Sequence, residues 1–406
     1  MFEEWVGEAS VFGFEILPQP SERFCTQNLA GALHTDGVGY TLSVGQEVKM
    51  EIPANTIAMT RVTGTVAKEN HLRSLDGIRA ICIAFVIAGH LGGTRGIRRI
   101  DLGVGDYANL GVVVFFVVSG FLITNLLLSE HERKGRISLK LFYTRRFLRI
   151  FPASYCYLAC IFVLWLAGMV HLEAKDLWHG VTYTVNYVPH PAWQVGHLWS
   201  LSVEEQFYLL WPFAFFALGP RRANWVAAAV LLLGPVSRST AWLFLRDTPY
   251  RDLPMFPVVA DSLAIGCLLA NARTWLEGQD WYLQLFRPIY SISLLGLIFL
   301  INRYRAYTVV EILGMSLINL SIAILIHRSV YRSHDWTGQV LNWNPIAFVG
   351  VLSYSLYLWQ QPFLNRQSTA WVNSFPQNLM FVVIAAIGSY LLLEKPLLKL
   401  RHRLRS

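Results

Sequence analysis

From residue 75 onward, apolar residues run in long stretches instead of alternating with polar ones. Ten such stretches lie near 75–93, 107–128, 151–170, 201–219, 223–245, 256–274, 284–302, 309–329, 343–364 and 376–395. Each approaches the ~20 residues with which an α-helix crosses a bilayer. The pattern predicts an all-α, polytopic membrane helix bundle of about ten transmembrane helices. The stretch 223–245 contains Gly234, Pro235 and Arg238 and is expected to be broken or kinked. The polar and aromatic stretch 171–200 is expected to hold a short helix of its own.

Residues 1–70 differ in kind. They are acidic, rich in Gly, Thr and Glu, and hold no membrane-length run. Loose alternation over 40–66 suggests a few short strands. The segment reads as a small cytoplasmic appendage, a disordered tail, or upstream sequence from a misplaced start codon. It lacks the apolar core of a cleavable signal, so the first span is expected to serve as the insertion signal. The division predicted is an N-terminal extension (1–70), an integral-membrane domain (71–400) and a basic cytoplasmic tail (401–406).

Composition agrees with the pattern. The chain is 54% hydrophobic and 15% charged, against about 25% charged in soluble proteins. A net charge of +8 could point to nucleic acid. The basic residues, however, sit in short loops and at the C-terminus, as membrane orientation requires. With both termini inside, the inner loops carry roughly twice the Lys and Arg of the outer ones. The discordant patch is Arg95, Arg98 and Arg99, either a solvated loop or an anion site. Of the five cysteines (Cys25, Cys82, Cys156, Cys160 and Cys267) only Cys156 and Cys160 are one turn apart. They read as small core residues, and no metal site is expected.

Polar residues inside the spans carry the candidate chemistry. Arg79 and His90 are eleven residues apart in the first span, on one helix face and about 16 Å apart along its axis. An intramembrane charge costs about 2.5–3.5 kcal/mol, so Asp76, Arg79 and His90 are expected to line one polar cavity. His90 is a candidate general base toward a hydroxyl, or a transient acyl carrier. A structural hydrogen bond is the plainer reading. Ser119-Gly120 gives the second span either close helix packing or room for a ligand. Arg145, Arg146 and Arg149, before the third span, suit phosphate or lipid headgroups. Glu204 and Glu205 open the fourth span and point about 100° apart. One of them is expected near the depth of His90, to orient or polarise it. Helix capping is the alternative. Glu394 is expected to pair with Lys395 or with an arginine of another helix.

Six segments together resemble the membrane-bound acyltransferase family 3, the group of O-antigen and exopolysaccharide O-acetyltransferases. They are Leu75-Asp-Gly-Ile-Arg79 through His90, Phe115-Phe-Val-Val-Ser-Gly-Phe-Leu-Ile123, and Arg145-Arg-Phe-Leu-Arg-Ile-Phe-Pro152. Next come Trp199-Ser-Leu-Ser-Val-Glu-Glu-Gln-Phe-Tyr208, Ser353-Tyr-Ser-Leu-Tyr-Leu-Trp359 and Glu394-Lys-Pro396. Each is unspecific alone. Their order and spacing over residues 72–400 are not. The resemblance implies a ten-span bundle in a bacterial inner membrane. It also implies transfer of an acyl group, by analogy acetyl, from cytoplasmic acyl-CoA to a hydroxyl of a carbohydrate or glycoconjugate. It makes His90 catalytic and Arg79 essential. It makes Arg145, Arg146, Arg149 and Ser119 candidates for acyl-CoA. Two departures stand out: Val112-Val113-Val114 where many relatives are polar, and Gln360-Gln361 where many have His. The rival function is a proton-coupled transporter or flippase using Arg79, His90 and the glutamates as a relay, although no internal repeat supports it.

Overall fold

The computed structural model describes residues 54–97, 106–305 and 307–403, with side chains from 73 to 399. Residues 1–53, which hold most of the expected extension, and Arg98 and Arg99 lie outside them. The described residues are helical and contain no strand beyond a single bridge between Arg95 and Ser374. Where the alternating pattern reaches 54–66, the backbone is helical and continuous with the first span.

The helices that position the site are α1 (Ala54–Leu91), α2 (Tyr107–Lys134), α3 (Leu139–Leu166), the short α4 (Ala174–Val181) within the aromatic loop, and α5 (Leu198–Leu245). They continue with α6 (Phe256–Glu277), α7 (Pro288–Arg303), α8 (Met315–Tyr331), α9 (Asn344–Val351), α10 (Ser353–Phe363) and α11 (Gln377–Ser389). Local chemistry sets several ends. The Asp106 carboxylate accepts from the Asn109 amide at 3.0 Å to start α2. Gly135, at φ 67°, ends it in the left-handed conformation, and Ser138 caps α3.

Among the described residues, seven helical stretches are long and apolar enough to cross a membrane. The difference from the ten expected stretches has a structural origin. The fourth and fifth merge in α5, which departs from helical angles only at Gly219 (φ 75°, ψ 168°), just before Pro220. The eighth and tenth appear among the seven, whereas α7 is shorter and the ninth is divided at Leu352 into α9 and α10. The expected break at Gly234-Pro235 is absent. Helical angles continue there, and Arg238 is held by Asp261 of α6 at 2.9 Å and by Ser316 at 2.8 Å. An arginine with its hydrogen bonds met inside the bundle can be kept within a span without unwinding it. Leu209, Phe213, Phe216, Leu232 and Phe244 of α5 face outward, as a lipid-facing surface does.

Helices α2 and α6 cross with their backbones in contact. A Cβ on Gly120 would lie 2.0 Å from the Leu263 carbonyl oxygen, and one on Gly266 would lie 2.2 Å from that of Val117. This settles Gly120 as a packing residue. Gly120→Ala is expected to destabilise the bundle by about 1–3 kcal/mol through overpacking. The check is the melting temperature of the detergent-solubilised protein. Gly388→Ala, where an added Cβ meets nothing within 4 Å, is expected to leave that temperature unchanged.

Candidate active site

Two cavities meet in the middle of the bundle. The first has about 860 Å³ of empty space, part of it open to solvent, and takes Arg79 from α1, Ser119 from α2, Arg146 and Arg149 from α3, and Glu204 and Tyr208 from α5. The second encloses about 2,050 Å³, part of it open to solvent, and takes His90, Trp193, His197 and Gln361 at its inner end. The expectation that Arg79 and His90 share one hollow is therefore corrected. They line adjoining cavities, because eleven residues of helix carry them about 16 Å apart.

The first cavity is a guanidinium site. Arg79 is buried and pairs with Asp76 one turn earlier at 3.5 Å. Arg146 and Arg149 lie three apart on the opening turns of α3, which brings both onto the cavity side. The Arg146 guanidinium sits 4.8 Å from the centre of the Tyr208 ring, within cation–π range. Arg145, the residue before Arg146, does not line the cavity. Ser119 donates to Glu204 Oε1 at 2.7 Å, and Tyr208 donates to Glu204 Oε2 at 3.3 Å. Tyr354, from α10, closes the same cavity and donates to the Ile150 carbonyl at 2.8 Å.

The second cavity is built around an imidazole. His90 Nδ1 lies 2.8 Å from Gln360 Oε1. A carbonyl oxygen only accepts, so Nδ1 carries the proton and Nε2 keeps its lone pair. Trp193 packs edge-on to the His90 ring at 5.8 Å. Its indole donates to the Gln361 carbonyl at 2.7 Å, and the Gln361 amide donates back to the Trp193 carbonyl at 2.8 Å. His197, at the start of α5, points its Nε2 at the Leu358 carbonyl at 3.1 Å. Two ion pairs line its wall, the exposed Arg251 with Asp252 and the buried Arg238 with Asp261.

The residue that orients His90 is thus Gln360 and not a glutamate. Glu204 lies about two turns, roughly 10 Å, along α5 from its start and lines the other cavity. Glu205 lines neither cavity, in keeping with its 100° offset from Glu204. Glu394 accepts from Ser355, and from Ser389 at 3.4 Å, and interacts electrostatically with Arg149 of α3, an arginine of another helix as expected. Gln360, Gln361, Trp193 and Tyr357 join the site beyond the residues expected from sequence. The amides inside the ninth apolar run were their one visible signal, since an amide in a membrane span has to find a partner. Among the described residues, no group of three or more His, Cys, Asp and Glu side chains converges as a metal centre.

Comparison with known proteins gives an independent view. The model of the family described as "Acyltransferase domain" matches residues 72–393. Peptidoglycan O-acetyltransferase OatA of Listeria monocytogenes is 27% identical over 368 residues, which cover 80% of this chain and 54% of that protein. O-acetyltransferase OatA of Staphylococcus aureus is 26% identical over 359 residues, 81% of this chain and 57% of that protein. The chain spans about half the length of these curated relatives. No solved structure matches it significantly.

Proposed function

The chain belongs to this family of acyl-transferring enzymes, the acyltransferase 3 family, and we propose that it moves an acetyl group from cytoplasmic acyl-CoA to a carbohydrate hydroxyl of the cell envelope. The observation that carries this reading is the contact of His90 Nδ1 with Gln360 Oε1 at 2.8 Å, on a ring that lines the second cavity. With the proton on Nδ1, a neutral imidazole keeps its lone pair on Nε2, the state a general base needs. The relatives named as O-acetyltransferases, one of them of peptidoglycan, support the acetyl group and a glycan acceptor.

The guanidinium cavity suits acyl-CoA. Arg79, Arg146 and Arg149 offer cationic forks for phosphates. Ser119, Glu204 and Tyr208 give the pantetheine amides hydrogen-bonding partners on one wall. The basic loop between α2 and α3 supports a cytoplasmic side for this cavity by charge bias. Both termini then lie inside. Counting α5 as two passes, α7 as one and α9 with α10 as one gives ten passes, with 71–400 as the membrane unit. The imidazole cavity opens on the opposite side. Its ion pairs and its Trp193 and Trp199 faces are suited to hydroxyl groups and sugar rings.

In the reaction, the acceptor hydroxyl oxygen attacks the thioester carbonyl while His90 Nε2 takes its proton. The C–O bond forms, the C–S bond breaks, and the proton passes on to the departing thiolate, so that CoA leaves as a thiol. The test is to incubate the purified protein in lipid nanodiscs with labelled acetyl-CoA and solubilised peptidoglycan fragments. Release of free CoA together with label on the glycan is expected. Intact thioester after prolonged incubation, with labelled glycan crossing the membrane of reconstituted vesicles, would replace this reading with the transport one.

A further inference from the structure

We propose that the partition between the two cavities is the acyl-size filter of the enzyme, with Phe116 as its specificity-determining residue. This deepens the acyl-transfer reading and rests on it. The cavities share three lining residues among those described: Val112, Phe116 and Tyr357. All three are buried, Phe116 to 1% exposure. The arginines lie on one side of them and His90 on the other. An acyl group carried by a phosphate-anchored donor must therefore pass between these side chains to meet a hydroxyl beside His90.

The members of the partition are not held alike. The Tyr357 hydroxyl donates to the His197 carbonyl at 2.8 Å and receives the Ser200 hydroxyl at 2.6 Å. Two hydrogen bonds to the start of α5 fix the tip of that ring. Val112 is β-branched and stiff on its helix. Phe116, one turn further along the same face of α2, has no polar atom to tether. Its neighbour is Trp199, edge-on at 5.9 Å and 85°. The Phe116 ring is the large member of the partition held by packing alone, and its size sets the width of the slot beside Val112 and Tyr357. The slot passes an acetyl group and resists each added methylene, for which an apolar passage discriminates by about 10–200-fold.

The chemistry at the slot is the transfer already given: the thioester C–S bond breaks, the ester C–O bond forms, and the hydroxyl proton leaves through His90 Nε2 for the CoA thiolate. The acyl chain itself is unchanged, so only its girth and length are read.

The experiment compares CoA release from acetyl-, propionyl- and butyryl-CoA in nanodiscs for the wild type, Phe116→Leu and Phe116→Trp. Phe116→Leu is expected to raise the butyryl-to-acetyl ratio about tenfold or more, and Phe116→Trp to lower the propionyl-to-acetyl ratio by a similar factor. Val112→Ala widens the same slot from the neighbouring turn and stands in should Phe116→Leu not fold. Unchanged ratios in folded variants that still turn over acetyl-CoA overturn the filter and leave acyl transfer standing. A wild-type protein that releases CoA from none of the three donors overturns the acyl-transfer reading, and the filter with it.

Discussion

His90→Ala is expected to lower acetyl transfer to the glycan by about 10²–10⁴-fold, the usual worth of a positioned general base. Abundance and melting temperature should stay near the wild type. The ring is half-buried at the last turn of α1, so its loss opens no deep cavity. Gln360 supplies the internal control, because it acts on the ring and not on the substrate. Gln360→Leu removes the carbonyl that holds the Nδ1 proton and frees both tautomers and the ring torsion. Its rate should fall less than that of His90→Ala, with little change in KM for acetyl-CoA. Gln360→Glu restores an acceptor at the same place and should recover part of the loss. Full transfer by His90→Ala would remove the imidazole from the chemistry.

The second large effect concerns the donor. Arg146→Gln and Arg149→Gln each delete a cation from the first cavity, and a hydrogen bond to a charged group is worth about 1.5–3 kcal/mol. Each is expected to raise KM for acetyl-CoA by about 10–100-fold with a smaller effect on kcat. The discriminating substrate is acetyl-pantetheine, which keeps the thioester and lacks the nucleotide phosphates. Its KM should be almost the same in the wild type and both variants. Equal losses with acetyl-CoA and acetyl-pantetheine would assign these arginines to the fold or to lipid headgroups. Arg145→Gln, outside the cavity, is expected to have little effect on either donor.

Much of this was legible in the chain itself. Ten apolar runs announced an all-helical membrane bundle, and six spaced motifs pointed to the family. Arg79 and His90 stood out because charge and imidazole are expensive in lipid. Periodicity also separated Glu204 from Glu205. What the sequence concealed was depth. Helical spacing fixes which face a residue occupies but not which element crosses between two residues on that face. Phe116 and Tyr357, from α2 and α10, come between Arg79 and His90 and divide one expected hollow into two. The same blindness hid Gln360, which is 270 residues from His90 and reaches it only through tertiary packing. The break in α5 at Gly219 falls at the expected boundary between the fourth and fifth stretches, whereas the further break expected at Gly234-Pro235 does not occur. Proline can stay within a membrane helix where its neighbours satisfy the freed backbone groups, whereas a glycine with positive φ cannot continue the helix.

The glycine contact between α2 and α6 bears on how the enzyme meets changes in its bilayer. With backbone resting on backbone at Gly120 and Gly266, α2 has no side-chain cushion to compress against that neighbour, and it presents Val112 and Phe116 from a fixed position. Thicker lipid, lateral pressure or a sterol-like additive can tilt the peripheral helices, but these helices do not set the bore. Donor choice should therefore hold steady across lipids of different chain length, even where overall turnover does not.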